Sequence, residues 1–167
     1  MKKFLLFSLL FTTLSAFANE EMVGMPNPWT DCANDINKAA EIAGFDLPID
    51  VEAFTFRASK GMIEAVAPIS NNRDIIIRKS AKKDGINRDN SGDYNVYPMC
   101  EKVSMNGNTV TLRRDEKLVY VMYFSTPEDD FSIQCKDGLT MGEVEKFHRL
   151  IWEYKVNDDQ NWFTFAQ

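Results

Sequence analysis

The chain has 167 residues, with 19 Lys and Arg against 25 Asp and Glu, and a formal net charge of −6 at pH 7. This length suits one domain with a sizeable core and gives no reason to expect two. The acidic balance argues against nucleic acid and against an anionic membrane surface as partners.

The first residues, MKKFLLFSLLFTTLSAFANE, have the layout of a secretory signal peptide. Lys2 and Lys3 precede an apolar run, and the small residues Ala16 and Ala18 mark a cleavage site. The run is shorter than the about 20 apolar residues of a membrane-spanning helix. We therefore expect cleavage after residue 18, export to the periplasm or the extracellular space, and no membrane insertion afterwards.

The rest of the chain divides into three parts. Residues 19–28, NEEMVGMPNP, are polar, contain two prolines and show no apolar period, so they predict a poorly ordered leader. Residues 29–156 form the single predicted domain, and residues 157–167 form a C-terminal tail. Loss of Lys2 and Lys3 with the signal peptide leaves 17 basic residues against 25 acidic ones, a net charge of −8.

The domain opens with a predicted amphipathic helix over about residues 31–43. Thr30 or Asp31 can accept the first free backbone N–H groups, and Gly44 supplies a left-handed stop. Apolar residues recur at helical spacing along one face: Cys32, Ile36, Ala39 and Ala43.

From there to residue 137 the apolar period changes to two, which predicts about six strands in mostly antiparallel order. VEAFTFRAS and GMIEAVAPI form a pair, and RDIIIRKS follows them. PMCEKVSM and NTVTLRRD flank Asn106-Gly107, the strongest short hairpin signal because both loop positions need positive φ. KLVYVMYFS and DFSIQCK close the series around TPED.

A second helix follows the last strand. Thr140 and Glu143 form a capping box, in which each side chain satisfies the other residue's free N–H group. An apolar stripe then runs through Val144, Phe147, Ile151 and Tyr154. The element order predicts an α+β fold, with an N-terminal helix, a sheet and a C-terminal helix packed on the sheet.

Three cysteines remain after export, which permits a disulfide. The hairpin register places Cys100 opposite Arg113 on the polar side, whereas Cys135 alternates with Phe131 and Ile133 and points inward. Cys32 lies on the apolar stripe of the first predicted helix. The faces therefore favour a Cys32–Cys135 disulfide with Cys100 as a free thiol, and three unpaired thiols are the alternative.

The sequence gives an enzyme little support. Its only histidine, His148, lies beside the apolar stripe of the second helix, where packing is commoner than catalysis. A thiol enzyme using Cys100 would need His148 to meet it in space. A thiol- or His-dependent hydrolase therefore stays as an alternative only.

The segment INRDNSGDYN raises the one cofactor question, because its oxygen-bearing side chains alternate as in an EF-hand calcium loop. Pro98 stands where that loop needs a bidentate Glu, and the flanks read as strands rather than helices. The alternative is a polar connector, since Asn, Asp, Ser and Gly are ordinary turn residues. The candidate calcium ligands are Asn87, Asp89, Ser91, Asp93 and Asn95, with Gly92 at the turn.

Several motifs in order resemble a group of small exported bacterial proteins of unknown function: NPWTDC, AGFDLP, IIIRKS, SGDYNVY, VSMNGNTVTL and DGLT. The likeness runs from Asn27 to about Trp152. It implies an α+β domain with a curved antiparallel sheet and helices packed on it, and it implies no activity or catalytic residue. The pattern includes SGDYN but not Asn87 or Asp89, which favours a structural role for Gly92 to Asn95.

Together these features predict an exported, non-enzymatic module that binds a small molecule or a protein on the face or edge of its sheet. The strands VYVMYF and FTFRA, rich in aromatic residues and methionine, suit such a surface, although such residues also form plain core. A calcium-stabilised form of the same domain is the alternative, and no other cofactor is expected.

Overall fold

A computed structural model of the chain describes residues 27–47, 53–82 and 88–156. Within these ranges the strands form one antiparallel sheet in the order β1-β2-β3-β4-β8-β7-β6-β5. The strands are β1 (Thr30–Ala33), β2 (Thr55–Ser59), β3 (Met62–Ile69), β4 (Arg73–Ala81), β5 (Met99–Met105), β6 (Asn108–Arg114), β7 (Val119–Ser125) and β8 (Asp129–Leu139). The helices are α1 (Ile36–Ala43) and α2 (Met141–Val156).

The predicted α+β class with about six strands is wrong. The described part of the chain is mostly β, with eight strands, and its two helices have only eight and sixteen residues. Part of the error lies at Thr30–Ala33, which the apolar spacing assigned to a helix and which instead pairs with β2. Asp35, rather than the predicted Thr30 or Asp31, caps α1 by accepting a bond from the Lys38 N–H group at 2.9 Å.

The local turn signals, in contrast, are confirmed. Asn106 and Gly107 have positive φ, and β5 pairs with β6 in the predicted register, with Cys100 opposite Arg113. The capping box is present, since Glu143 accepts from the Thr140 N–H group at 2.8 Å. Gly44 ends α1 in the left-handed conformation, as predicted.

Two four-stranded meanders build the sheet. β1 to β4 follow one another in space, β5 to β8 do the same, and the meanders join where β4 pairs with β8. Because β5 lies at the far edge from β4, the connection between them has to cross β8, β7 and β6. This connection contains the segment that resembled a calcium loop.

The two faces of the sheet have different characters. The inner face is apolar, and α1 packs on it against β2 and β3, while α2 packs against β7 and β8. Its buried side chains alternate along each strand and include Phe56, Ile63, Ile77, Leu112, Met122, Phe124, Phe131 and Ile133. The opposite, outer face carries charged and hydroxyl side chains at the alternate positions, although two ion pairs, Lys79–Asp129 and Arg114–Glu101, lie on the inner side.

Neither of the helices among the described residues is long and apolar enough to cross a membrane. The predicted boundaries after residues 18 and 28 and after residue 156 stay predictions, because residues 1–26 and 157–167 lie outside the described part. The side chain of Tyr154, predicted to continue the stripe of α2, also lies outside it.

Candidate binding surface on the outer face

A row of directly paired residues runs across the outer face, perpendicular to the strands. Each member is the cross-strand partner of the next, so the side chains are neighbours on one face. From β2 to β5 the row reads Arg57, Glu64, Arg78, Ser132, Tyr123, Thr111 and Lys102.

Glu64 is the buried centre of the ionic part of this row. Its side chain is 0% exposed, and its two carboxylate oxygens take bonds from Arg57 on one side and from Arg78, at 2.7 Å, on the other. The Trp29 ring lies against both guanidinium groups, with centroid distances of 5.6 Å and 5.5 Å. The buried charge is therefore paired on both sides, as buried carboxylates require.

The chain that leads to β5 crosses the outer face directly over this row. Arg78 and Gln134 both donate to the Ser91 carbonyl, the latter at 2.6 Å. The Asn90 amide donates to Ser80 and to the Asp130 carbonyl, both at 2.9 Å. These contacts fix the first half of the crossing segment, which we define as residues 88–97, over β4 and β8.

The second half is held over β6 and β7. Arg113 donates to the Asp93 carbonyl at 2.7 Å and pairs with the Asp89 carboxylate at 2.5 Å. The Tyr97 ring stacks on Tyr120, with centroids 5.1 Å apart, and its hydroxyl donates to Asp93. Burial, followed by the Asp93 carboxylate, raises the pKa of Tyr97, so the hydroxyl keeps the proton that it donates.

The alternating Asp and Ser side chains of the crossing segment form hydrogen bonds with its backbone. Asp89, Ser91 and Asp93 each accept, through a side-chain oxygen, the N–H group two residues on, at 2.9, 3.1 and 2.7 Å. The remaining oxygens of the two carboxylates take Arg113 and the Tyr97 hydroxyl. Such turns use Asp and Ser at alternate positions for a reason unrelated to a metal.

The calcium hypothesis nevertheless stays a prediction. Asn87, its first proposed ligand, lies outside the described residues. Within the described ranges, no group of three or more His, Cys, Asp or Glu side chains is placed to hold a metal ion.

The crossing segment presents two apolar side chains to solvent. Tyr94 is 93% exposed and Val96 is 96% exposed, whereas Tyr97 packs onto the sheet. The backbone around them is fixed by Arg113 and by the Asp93 turn. A backbone that is already fixed loses little conformational entropy when a partner covers it, and a Tyr side chain has only two χ angles to immobilise.

The three cysteines are unbonded. Cys32 and Cys135 are both buried, as the sequence suggested, but Cys32 lies on β1 rather than on a helix. Three strands separate β1 from β8, so the thiols lie about four spacings of ~4.8 Å apart along the sheet, whereas a disulfide needs Cα atoms within about 7 Å. Burial is the largest cause that raises the pKa of both thiols. The structure does not bring the predicted pair together.

Cys100 and His148 lie on opposite faces of the sheet. Cys100 is exposed on the outer face, on β5, opposite Arg113. His148 is 0% exposed on α2, which packs on the inner face, and burial lowers its pKa to about 4. The imidazole therefore cannot serve as a base for this thiol, and the geometry gives a thiol hydrolase no support.

Comparison of the chain with protein-family models, with curated proteins and with solved structures found no match. The resemblance to small exported bacterial proteins therefore stays a prediction.

Sequence reasoning singled out the crossing segment but missed what it carries. The alternating pattern points to Asp89, Ser91, Asp93 and Asn95 as metal ligands, whereas the exposed apolar residues are Tyr94 and Val96. An aromatic residue two positions after a turn glycine was the available signal. Nothing local to Glu64 indicated burial, because its two partners come from neighbouring strands.

Proposed function

We propose that this chain is an exported, non-enzymatic domain that binds a protein partner through Tyr94 and Val96 on the crossing segment. The observation that supports it is the exposure of these two apolar side chains on a backbone held by the arginines of the sheet. Binding energy at protein interfaces is concentrated in a few aromatic and apolar anchors. A braced backbone also lowers the entropic cost of association.

The export part of the proposal rests on the signal-peptide pattern and is tested separately. The mass of the protein recovered from the growth medium or the envelope should correspond to a chain that begins at Asn19. A chain that keeps residues 1–18 in the cytoplasm would contradict export.

Site-specific photo-cross-linking tests the binding surface. A photoreactive phenylalanine analogue replaces Tyr94 in the full chain, and the same analogue replaces Glu145 as the control, because Glu145 is exposed on α2, on the other side of the sheet. We expect a discrete cross-linked protein from position 94 and none of that mass from position 145.

A second substitution makes the test specific. Val96→Ala in the chain that carries the analogue at position 94 should weaken the cross-link several-fold, since truncation of an interface anchor costs at least about 1 kcal/mol, roughly fivefold in affinity. Identical products from positions 94 and 145, or an adduct insensitive to Val96→Ala, would contradict the proposed surface.

A further inference from the structure

The most unusual buried group on the inner face is His148. Its ring meets the Phe124 ring edge-on, with centroids 4.7 Å apart, and lies nearly parallel to the Trp152 ring at 6.0 Å. Nδ1 is 3.1 Å from the side-chain nitrogen of Asn106, in the β5–β6 turn. Nε2 is buried and has no hydrogen-bond partner among the described residues.

This environment favours a neutral imidazole over a charged one. An imidazolium has two N–H donors, and here one of its nitrogens, Nε2, is buried with no hydrogen-bond partner among the described residues. Burial alone lowers the pKa of His148, with no contribution from a charged neighbour, and the inner-face carboxylates Asp129 and Glu101 pair with Lys79 and Arg114. Among the described side chains of α2 that follow Glu143, the charged ones are Glu145, Lys146 and Arg149, and all three are exposed to solvent.

The N-terminal end of α2 is fixed by a different set of bonds. Glu143 accepts from Thr140 in the capping box and pairs with Arg73, at 2.5 Å, at the start of β4. The bond from Arg73 is the largest cause that lowers the pKa of Glu143 to about 2. Glu143 therefore stays ionised near pH 4, the pH at which His148, near the centre of α2, gains a proton.

We propose that α2 is an acid-sensitive latch. Protonation of His148 releases the helix from residue 147 onward, uncovering Phe124 on the inner face, while the sheet and the Thr140–Glu143 anchor persist. This inference is independent of the proposed binding surface, which lies on the outer face.

The direction of the pH effect follows from which state of the helix, closed or released, binds the proton more tightly. In the closed helix the pKa of His148 is about 4, below the 6.5 of a free imidazole, so the released helix binds the proton more tightly. Closure is fully favoured above pH 6.5 and weakens as the pH falls towards 4. Over that interval the closing equilibrium constant should fall ~300-fold, with little further change at lower pH.

The test uses the untagged chain, whose single histidine gives one set of imidazole resonances. NMR follows the titration of that ring, and hydrogen exchange, corrected for the intrinsic pH dependence of the exchange reaction, follows the amides. We expect the amides of α2 after residue 147 to lose protection between pH 6.5 and 4 while β3, β4 and β8 keep theirs. Titration near pH 6.5 in the closed state, or simultaneous loss of protection in helix and sheet, would overturn the latch.

His148→Phe keeps an aromatic ring and removes the titrating group, so α2 should stay protected at pH 4. His148→Leu serves the same purpose if the larger ring prevents folding. Glu145→Gln, an exposed change on the same helix, should keep the wild-type pH response. Acid opening that persists in both His148 variants would contradict the role of this residue.

Discussion

Glu64 is the residue on which the charge balance of the outer face depends. Its carboxylate is fully buried between Arg57 and Arg78, and the Arg78 side chain is only 16% exposed. Glu64→Gln keeps the shape but leaves Arg78 without its counter-ion. We expect a loss of about 3 kcal/mol in the free energy of unfolding, measured by urea denaturation.

Glu101→Gln is the matched control. Glu101 also pairs with an arginine, Arg114, but its side chain is 41% exposed, so the loss should stay below about 1 kcal/mol. Equal losses of unfolding free energy in the two variants would show that the burial of Glu64 does not determine its contribution to stability.

Single residues also show what sequence can and cannot predict. Cys100 opposite Arg113 followed from a two-residue turn, because turn chemistry fixes the register of its own hairpin. The inward side of Cys32 and Cys135 was correct, yet their separation was not, since it depends on strand order. Strand order is set by packing between distant segments and leaves no local trace.

Among the elements, the crossing segment depends on one glycine. Gly92 has φ of +68°, and a Cβ atom there would collide with the Arg78 guanidinium group. Gly92→Ala therefore adds backbone strain and also displaces the donor that holds the Ser91 carbonyl. We expect a loss of about 2 to 3 kcal/mol in the free energy of unfolding and faster hydrogen exchange over residues 88–97.

Gly44→Ala separates backbone strain from the collision with Arg78. Gly44 also has positive φ, +86°, but no atom lies within 4 Å of a Cβ placed there. Backbone strain alone should cost about 1 kcal/mol and leave exchange in the crossing segment unchanged. If both variants lose the same free energy, the Arg78 contact contributes nothing.

The wrong prediction of a helix at β1 has a physical explanation in the length of the segment. Thr30–Ala33 is four residues long and is followed at once by the polar cap of α1, so the helical spacing of Ile36, Ala39 and Ala43 could be extended backwards through Cys32. Pairing with β2 decides the conformation instead. Tertiary contacts override local periodicity most easily in segments this short.

For the whole molecule, β5 is exposed to association because it has a described neighbour on one side only. Lys102, in the middle of β5 and on the outer face, is the type of residue that discourages pairing between sheet edges. We expect Lys102→Val to cause concentration-dependent self-association, measured by light scattering. Lys136→Val, the same change on the interior strand β8, should not. Association of both variants, or of neither, would argue against an edge effect.

The crossing segment also has a consequence for folding kinetics. Each meander forms from pairings between consecutive strands, whereas the β4–β8 junction closes a long stretch of chain and is entropically costly. Arg78 on β4 and Gln134 on β8 can meet at the Ser91 carbonyl only after that junction exists. We expect closure of that junction to be the rate-limiting step of folding and these bonds to form after it, so breaking them should speed unfolding and leave the folding rate almost unchanged, as stopped-flow kinetics would measure. The crossing segment would then set the lifetime of the folded state by slowing its unfolding.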